Sequence, residues 1–249
     1  MADDRPVSRT ELPGLWKRTV LVDEIGVEDL QSRVYWIQSS TMCGDIRKHL
    51  QHSALADLSS NGGAPMMDAF VGKLIETDGI FRWQPSLSYR DLNGPPDEGR
   101  LRWIGEDLSE DGVHSAYRER WVRIARASDD DFALALRHPA DDRRSWVIKV
   151  GSFLFFACEA IGETAESPEF SLSELLPEGP RLVLSTREAN RATCPFVKFA
   201  DDARQTVRLS HWAERSGGAG ELWCISAIEG AANAISGGAS SPLIAGVER

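Results

Sequence analysis

Short runs of alternating apolar and polar residues dominate the chain. The first run, residues 15–22, reads LWKRTVLV and ends at the turn sequence DEIG. Residues 30–38 follow, with Val34, Trp36 and Gln38 on one face of the expected strand. Because successive side chains of a strand point to opposite faces, this alternation predicts β-structure with one face buried.

Runs of the same kind continue through most of the chain, separated by turns rich in Gly, Pro and Asn, such as NGPPDEG and SGGAG. A spacing of roughly ten residues with hairpin-length loops is typical of a β-sandwich or β-barrel. Further strands are predicted at residues 42–47, 66–74, 80–89, 99–104, 115–124, 132–138, 146–156, 181–186, 206–214 and 220–228.

Helix signals are limited to short segments, at residues 51–58 and 171–176. No segment supports a helix long enough to connect parallel strands, so an antiparallel, all-β fold is predicted. The acidic turn ASDDD, near residue 127, marks a boundary between two halves. We predict one domain at residues 11–127 and a second at 128–230, followed by a flexible or wrapping tail at 231–249 that is rich in Gly, Ala and Ser.

The net charge of the chain disfavours some classes of binding partner. Across 249 residues the formal net charge is −10, which argues against nucleic acid or an anionic membrane as the main partner. No run approaches the ~20 apolar residues of a membrane-spanning helix, and the acidic N-terminus MADDRPVSRTELPG does not resemble a secretory signal. We therefore expect a cytoplasmic protein.

Cysteines and histidines are dispersed, without the spacing of a zinc site, so no metal site is predicted. The chain has no Walker loop, dinucleotide fingerprint or GxSxG motif, and we expect no cofactor, although haem stays open as an alternative. In the second half, Cys158 with Glu159, Cys194 and the group His211, Trp212 and Glu214 are only weak candidates for chemistry, since no base lies at a suitable spacing from either cysteine.

The first half contains a set of motifs: PGLWKR at 13–18, W-x-Q at 36–38, DIR at 45–47, F-x-G at 70–72 and GEDLSEDGVHSAYRERW at 105–121. Together they resemble a family of lipocalin-like (calycin) proteins, most of them uncharacterised bacterial proteins, with a fungal member that interacts with a casein-kinase-type kinase. The resemblance covers residues 13–125 best and implies two lipocalin-like antiparallel β-barrels packed side by side. It also implies that Trp16 plugs the closed end of the first barrel against a basic residue.

Two departures from the family pattern are present, and the resemblance implies no catalytic residues. Lys48 and His49 stand where Ile-Pro is expected after DIR. The sequence RLSHWAERSG at 208–217 replaces a strand of small residues and Phe.

Two groups of residues carry candidate chemistry within the first barrel. Asp45 and Arg47 share a strand face, so Arg47 could anchor an anionic or carbonyl-bearing ligand while Asp45 orients it. Alternatively, the two form a structural ion pair. Trp36 and Gln38 would supply an aromatic wall and a buried amide that needs partners.

The second group follows in GVHSAYRERW. We predict Glu119 or His114 as a general base, Tyr117 as a hydrogen-bond donor and Trp121 as part of the wall, with Tyr117, Glu119 and Trp121 on one strand face. The alternative is a strand whose Tyr and Glu satisfy each other. Arg82 is a further candidate for the same cavity.

Three functions follow from these residues. The first is a cofactor-independent acid–base enzyme, such as a lyase, dehydratase, isomerase or cyclase, acting on a small, partly apolar or amphipathic molecule. The second is a non-catalytic binding protein for a hydrophobic small molecule or haem. The third is a protein-interaction module. The oligomeric state is left open, and barrel edges allow a homodimer.

Overall fold

A computed structural model describes residues 4–49, 66–90, 94–160, 167–187, 194–200, 205–211 and 220–230. Within these ranges the chain forms β-strands and one 3-10 turn, Arg9–Glu11, and no α-helix, which confirms the all-β prediction. No helix in the described part is long and apolar enough to cross a membrane. The chain divides into two compact units, Met1–Arg126 and Ala127–Arg249.

The first unit is a closed, eight-stranded, antiparallel barrel. Each main strand pairs with the next along the chain, and β10 pairs back with β2 to close the barrel, while β1 and β3 add to β8 and β2. The strands are β1 Asp4–Pro6, β2 Gly14–Val22, β3 Glu28–Asp29, β4 Arg33–Gln38, β5 Met42–His49, β6 Met66–Thr77, β7 Ile80–Ser88, β8 Asp97–Ile104, β9 Asp107–Gly112 and β10 Arg118–Arg126.

Trp16 lies near the start of β2 and is fully buried. Its indole N–H donates to the Leu12 carbonyl oxygen at 2.9 Å, and the Arg123 guanidinium lies 4.3 Å from the ring centroid. Arg123 also donates to the Glu11 carbonyl oxygen at 2.6 Å. The basic partner of Trp16 is therefore Arg123 on β10, and Arg18, two residues from Trp16, serves another contact.

Four further tryptophans join Trp16 inside the barrel. Trp36 is central, with ring centroids 6.0 Å from Trp16, 5.4 Å from Trp83 and 5.9 Å from Trp121, and Trp103 lies 5.9 Å from Trp16. The Trp83 and Trp121 rings meet Trp36 edge to face, a favourable arrangement of aromatic quadrupoles. This cluster fills much of the barrel interior.

The second unit repeats the sequential order of strands, and its last strand, β18, pairs back with its first, β11. No ladder joins β15 to β16 in the described residues, where the sheet curls into a half-barrel, consistent with the second predicted barrel. The strands are β11 Phe132–Arg137, β12 Arg144–Val150, β13 Phe153–Cys158, β14 Glu169–Leu176, β15 Gly179–Ser185, β16 Pro195–Phe199, β17 Thr206–His211 and β18 Glu221–Gly230.

Several predicted elements differ from those observed. Residues 171–176, predicted as helix, belong to β14, where Phe170 and Leu172 alternate into the core and ladders form with both neighbours. The predicted strand 146–156 is a hairpin that turns at Gly151, whose φ is +54°. The predicted helix at 51–58 and the tail at 231–249 lie outside the described residues.

Candidate functional site

A cavity of about 590 Å³ opens at one end of the first barrel. Its walls come from β2, β4, β5, β7, β8, β9 and β10, and its rim from the loops after β2, β7 and β9. Those loops meet at one end because the strands alternate in direction. The volume lies in the range of small-molecule sites.

Seven of the nine predicted site residues line this cavity, and Gln38 and Arg82 do not. The seven are Trp36, Asp45, Arg47, His114, Tyr117, Glu119 and Trp121.

Gln38 faces the barrel interior but lies beyond Trp36, at the last residue of β4. Its Oε1 accepts the Trp36 indole N–H at 3.1 Å, and its Nε2 donates to the carbonyl oxygens of Ser39 and Met42. The buried amide is thus satisfied by the protein itself, and the prediction that it lines the cavity is wrong.

Arg82 points away from the cavity because its neighbour Trp83 points inward, and adjacent strand residues face opposite sides. Its side chain is half-exposed and forms an ion pair with Glu98. The prediction for Arg82 therefore placed it on the wrong face of β7.

Two carboxyl groups meet inside the barrel. Glu110 on β9 and Glu119 on β10 are direct cross-strand partners, and both are buried. Side chains at such positions have Cβ atoms about 5 Å apart, and like charges there repel. Two ionised glutamates would therefore be unfavourable at this position.

The partners of the two carboxyl groups differ. Glu110 accepts from the Tyr117 hydroxyl at 2.8 Å and from the Trp121 indole N–H at 3.0 Å, and both donors are neutral. Glu119 accepts from the Arg18 guanidinium at 2.6 Å, through Oε1. Oε2 of Glu119 has no hydrogen-bond partner within the described ranges.

Burial raises the pKa of both carboxyls. The charge of Glu119 raises the pKa of Glu110 further, to well above its usual range, whereas Arg18 and Arg47 oppose the rise at Glu119. The first proton bound by the pair therefore goes to Glu110. Burial, followed by the charge of Glu110, also raises the pKa of Tyr117, which keeps the phenol protonated.

Glycines provide the space for this pair. A Cβ at Gly99 would lie 2.7 Å from the Glu110 side chain, and a Cβ at Gly112 would lie 2.4 Å from the Tyr117 ring. Tyr117 precedes β10, so the predicted common strand face holds only for Glu119 and Trp121. Tyr117 reaches the cavity from the loop after β9 instead.

Arg18 is enclosed by carboxylates. Besides Glu119, it pairs with Asp29 at 2.9 Å, and its own side chain is buried. The triad links β2, β3 and β10 on one side of the cavity. Arg18 therefore holds Glu119 in a fixed orientation.

Asp45 and Arg47 lie together on β5, as predicted from their spacing. Arg47 Nε donates to Asp45 at 2.5 Å, and a second guanidinium nitrogen reaches Asp97 at 3.2 Å. Burial of Asp45 outweighs the attraction of Arg47 and raises the Asp45 pKa to about 6. Asp45 therefore titrates close to neutral pH.

His49, at the end of β5, also lines the cavity and is 8% exposed. Burial, with the nearby charges of Arg47 and Arg18, lowers its pKa to about 4, so the imidazole is neutral at pH 7. Its Nδ1 is buried and has no hydrogen-bond partner in the described part of the chain. A buried polar atom of this kind is normally hydrogen-bonded, so Nδ1 of His49 is an unsatisfied polar atom on a residue that lines the cavity.

His114 lies at the mouth, where its Nε2 is 2.8 Å from Glu98. Nearby, Ile25 on the loop after β2 lines the mouth and is 75% exposed. His114 is thus a rim residue, further from the buried carboxyl pair than Tyr117.

Comparison with known proteins gives a fold but no family. No family model matches the chain, and no curated protein matches it. Among solved structures, the uncharacterized protein YLR301w of Saccharomyces cerevisiae is similar, with a TM-score of 0.56 and 16% identity. The match covers 88% of this chain and 99% of that chain. At this identity the likeness shows the fold alone.

The cavity residues that sequence reasoning missed include Arg18, His49, Asp97 and Glu110. Residues 107–112 fall in no predicted strand, although Leu108 and Glu110 have the spacing of one strand face. Recognition of that short strand would have placed Glu110 opposite Glu119.

The weaker candidates of the second unit show no comparable arrangement. Cys158 and Cys194 are buried, and burial raises the pKa of each thiol to about 11. Glu159 pairs with Arg144. Trp212, Glu214 and the His211 side chain lie outside the described set. In the described residues, no group of three or more His, Cys, Asp or Glu is placed to hold a metal ion.

Proposed function

We propose that the first unit is a cofactor-independent acid–base enzyme whose substrate is a small, partly apolar molecule held in the barrel cavity. The observation that carries the proposal is the opposed pair Glu110 and Glu119, one with neutral partners and one with a cationic partner. Carboxyl groups whose surroundings separate their pKa values provide an acid and a base in one site.

In this proposal Glu119 is the base. Arg18 binds its Oε1 and opposes protonation, while Oε2 remains available to the substrate. Glu119 accepts a proton from an acidic C–H, N–H or O–H group of the substrate.

Glu110 is the acid, acting through Tyr117. Oε2 of Glu110 is hydrogen-bonded to the Trp121 indole N–H. Because an indole N–H can only donate, Oε2 acts as the acceptor. Oε1 faces the Tyr117 hydroxyl and accepts from it when Glu110 is ionised. When Glu110 is protonated, the acidic proton lies on Oε1 and the direction of this hydrogen bond is reversed, so that the Tyr117 oxygen accepts. Tyr117 receives that proton on its oxygen as it donates its own to the substrate, which returns one proton for the one removed.

One proton removed and one returned suits an isomerase. It also suits a lyase, dehydratase or cyclase in which the proton from Tyr117 is taken by the leaving group or by the newly formed centre of the product. Such chemistry needs only placed acid and base groups, which contribute about 10²–10⁴ in rate. Trp36, Trp83 and Trp121 would form the wall against which the substrate packs.

Deuterium exchange tests the proposal even while the substrate is unidentified. The protein is incubated in D₂O with pools of small metabolites, and mass spectrometry identifies compounds that gain deuterium or change mass. We expect at least one such compound with the wild type and about a hundredfold slower change with Glu119→Gln. Glu28→Gln, an exposed change on β3, is the matched control and should equal the wild type.

Equal exchange by wild type and Glu119→Gln would refute the assignment of the base. A compound that is retained by the protein but keeps its mass and its protons would support the alternative, a non-catalytic binding protein. The Trp-lined cavity favours that alternative as the second function, and an absorption spectrum with a Soret band would identify haem as its ligand.

We also propose that both units are lipocalin-like and that the protein is cytoplasmic. The sequential eight-strand order and the Trp16–Arg123 stack support the first proposal. The acidic composition is compatible with the second.

A further inference from the structure

The charges around the cavity are strongly unequal. Seven carboxyl groups line it, against two guanidinium groups and two imidazoles. The carboxyl groups are those of Asp23, Glu24, Asp45, Asp97, Glu98, Glu110 and Glu119.

Both arginines are already engaged by carboxylates. Arg18 lies between Glu119 and Asp29, and Arg47 between Asp45 and Asp97. An anionic ligand would have to displace a carboxylate from a guanidinium. It would also have to approach the remaining carboxylates in a partly desolvated space, where repulsion is strong. This makes Arg47 a poor anchor for the anionic group considered from the sequence.

The rim adds negative charge that no side chain in the described ranges balances. The Asp23 carboxylate accepts the backbone N–H groups of Ile25 and Val27, and Glu24 is exposed. Among the described residues, neither carboxylate has a basic partner. The mouth therefore attracts cations by long-range electrostatics.

The remaining wall and one buried atom suit the same ligand. Trp36, Trp83 and Trp121 form an aromatic surface, and aromatic rings attract ammonium groups. His49 is neutral and buried, and its Nδ1 has no partner in the described ranges. A neutral imidazole offers a lone pair to an N–H donor.

We propose that the cavity takes an organic cation, a protonated amine or quaternary ammonium group attached to an apolar body. This inference rests on the proposed function in one respect, that the cavity holds a small molecule. The cationic group would lie against the aromatic wall and the acidic side chains, with any N–H directed to His49.

Three probes of similar shape and different charge test the proposal. Calorimetric titration of the full chain at neutral pH and low salt compares phenethylamine (a cation), phenethyl alcohol (neutral) and phenylacetate (an anion). We expect the amine to bind about tenfold more tightly than the alcohol, with phenylacetate weakest. Added salt should narrow the difference between amine and alcohol, because it screens the rim charges.

Two variants locate the effect. Glu24→Gln removes a rim charge without breaking an ion pair, and Glu28→Gln removes one charge from an exposed position that does not line the cavity. We expect Glu24→Gln to weaken amine binding by about two- to threefold and to leave alcohol binding unchanged. Glu28→Gln should bind both probes like the wild type.

Alcohol or phenylacetate binding as tight as amine binding would overturn the inference about charge and leave the cavity as a ligand site. Absence of amine binding, or equal loss in the two variants, would also overturn it. The deuterium-exchange experiment does not depend on these probes, so failure of the proposed acid–base function is recognised separately.

Discussion

Asp45 gives a quantitative test of the electrostatics inside the barrel. Its carboxyl is 2% exposed and pairs with Arg47, yet burial raises its pKa from 3.8 to about 6. Each pKa unit corresponds to about 1.4 kcal/mol, so the shift of about two units amounts to roughly 3 kcal/mol.

The direction in which pH changes the free energy of unfolding follows from the raised pKa of Asp45 in the folded state. Below about pH 4 the carboxyl is protonated in both folded and unfolded chains and has no effect on stability. Between about pH 4 and pH 6 the unfolded chain releases the proton more readily, so the free energy of unfolding falls as pH rises. Above about pH 6 the full loss of roughly 3 kcal/mol is reached.

Urea unfolding of wild type and Asp45→Asn at several pH values isolates this contribution. Five of the eight tryptophans lie in the first unit, so fluorescence reports mainly on its unfolding. We expect the stability of the wild type relative to Asp45→Asn to fall by about 3 kcal/mol between about pH 4 and pH 7. Glu28→Gln serves as the exposed control.

A pH-independent difference, within about 0.5 kcal/mol, would show that the Asp45 pKa is not shifted by folding. A difference that rises with pH would show that the attraction of Arg47 exceeds the effect of burial. Either result would refute the reasoning applied to the buried carboxyls.

Two other predictions concern stability. Trp16→Ala should lower the free energy of unfolding by about 3–5 kcal/mol, because it removes a fully buried indole and the stack with Arg123. A loss within about 0.5 kcal/mol in urea unfolding would contradict its role as the plug. Gly99→Ala should cost about 1–3 kcal/mol, since its Cβ meets the Glu110 side chain. Thermal unfolding of Gly99→Ala, Glu110→Ala and the double variant checks this, and strictly additive losses would contradict the steric explanation.

The sequence was sufficient for the fold class and for part of the cavity. Alternation with period two, punctuated by turns, predicted the strands that carry Trp36, Asp45, Arg47, Glu119 and Trp121. Their inward direction follows directly from that alternation. The cavity itself is a consequence of barrel closure through the β2–β10 ladder, which no local pattern shows.

The errors arose where the face of a side chain, or the pairing of a segment with neighbouring strands, cannot be read from the local sequence. Arg82 was placed inside although its neighbour Trp83 occupies the interior face, and Gln38 was placed in the cavity although Trp36 separates the two. Residues 171–176 have few strand-favouring side chains, but pairing with both neighbours fixes them as a strand. Glu110 was missed because its strand is short and acidic.

Because Gly99 lies close to Glu110 on the neighbouring strand, the substitutions that these two positions tolerate depend on each other. A residue larger than glycine at position 99 is accommodated more readily beside a side chain smaller than glutamate at position 110, because a Cβ there would lie 2.7 Å from the glutamate. Substitution of Glu110 by a smaller residue should therefore precede substitution of Gly99 by alanine. In related sequences, we expect glycine at position 99 wherever glutamate occupies position 110.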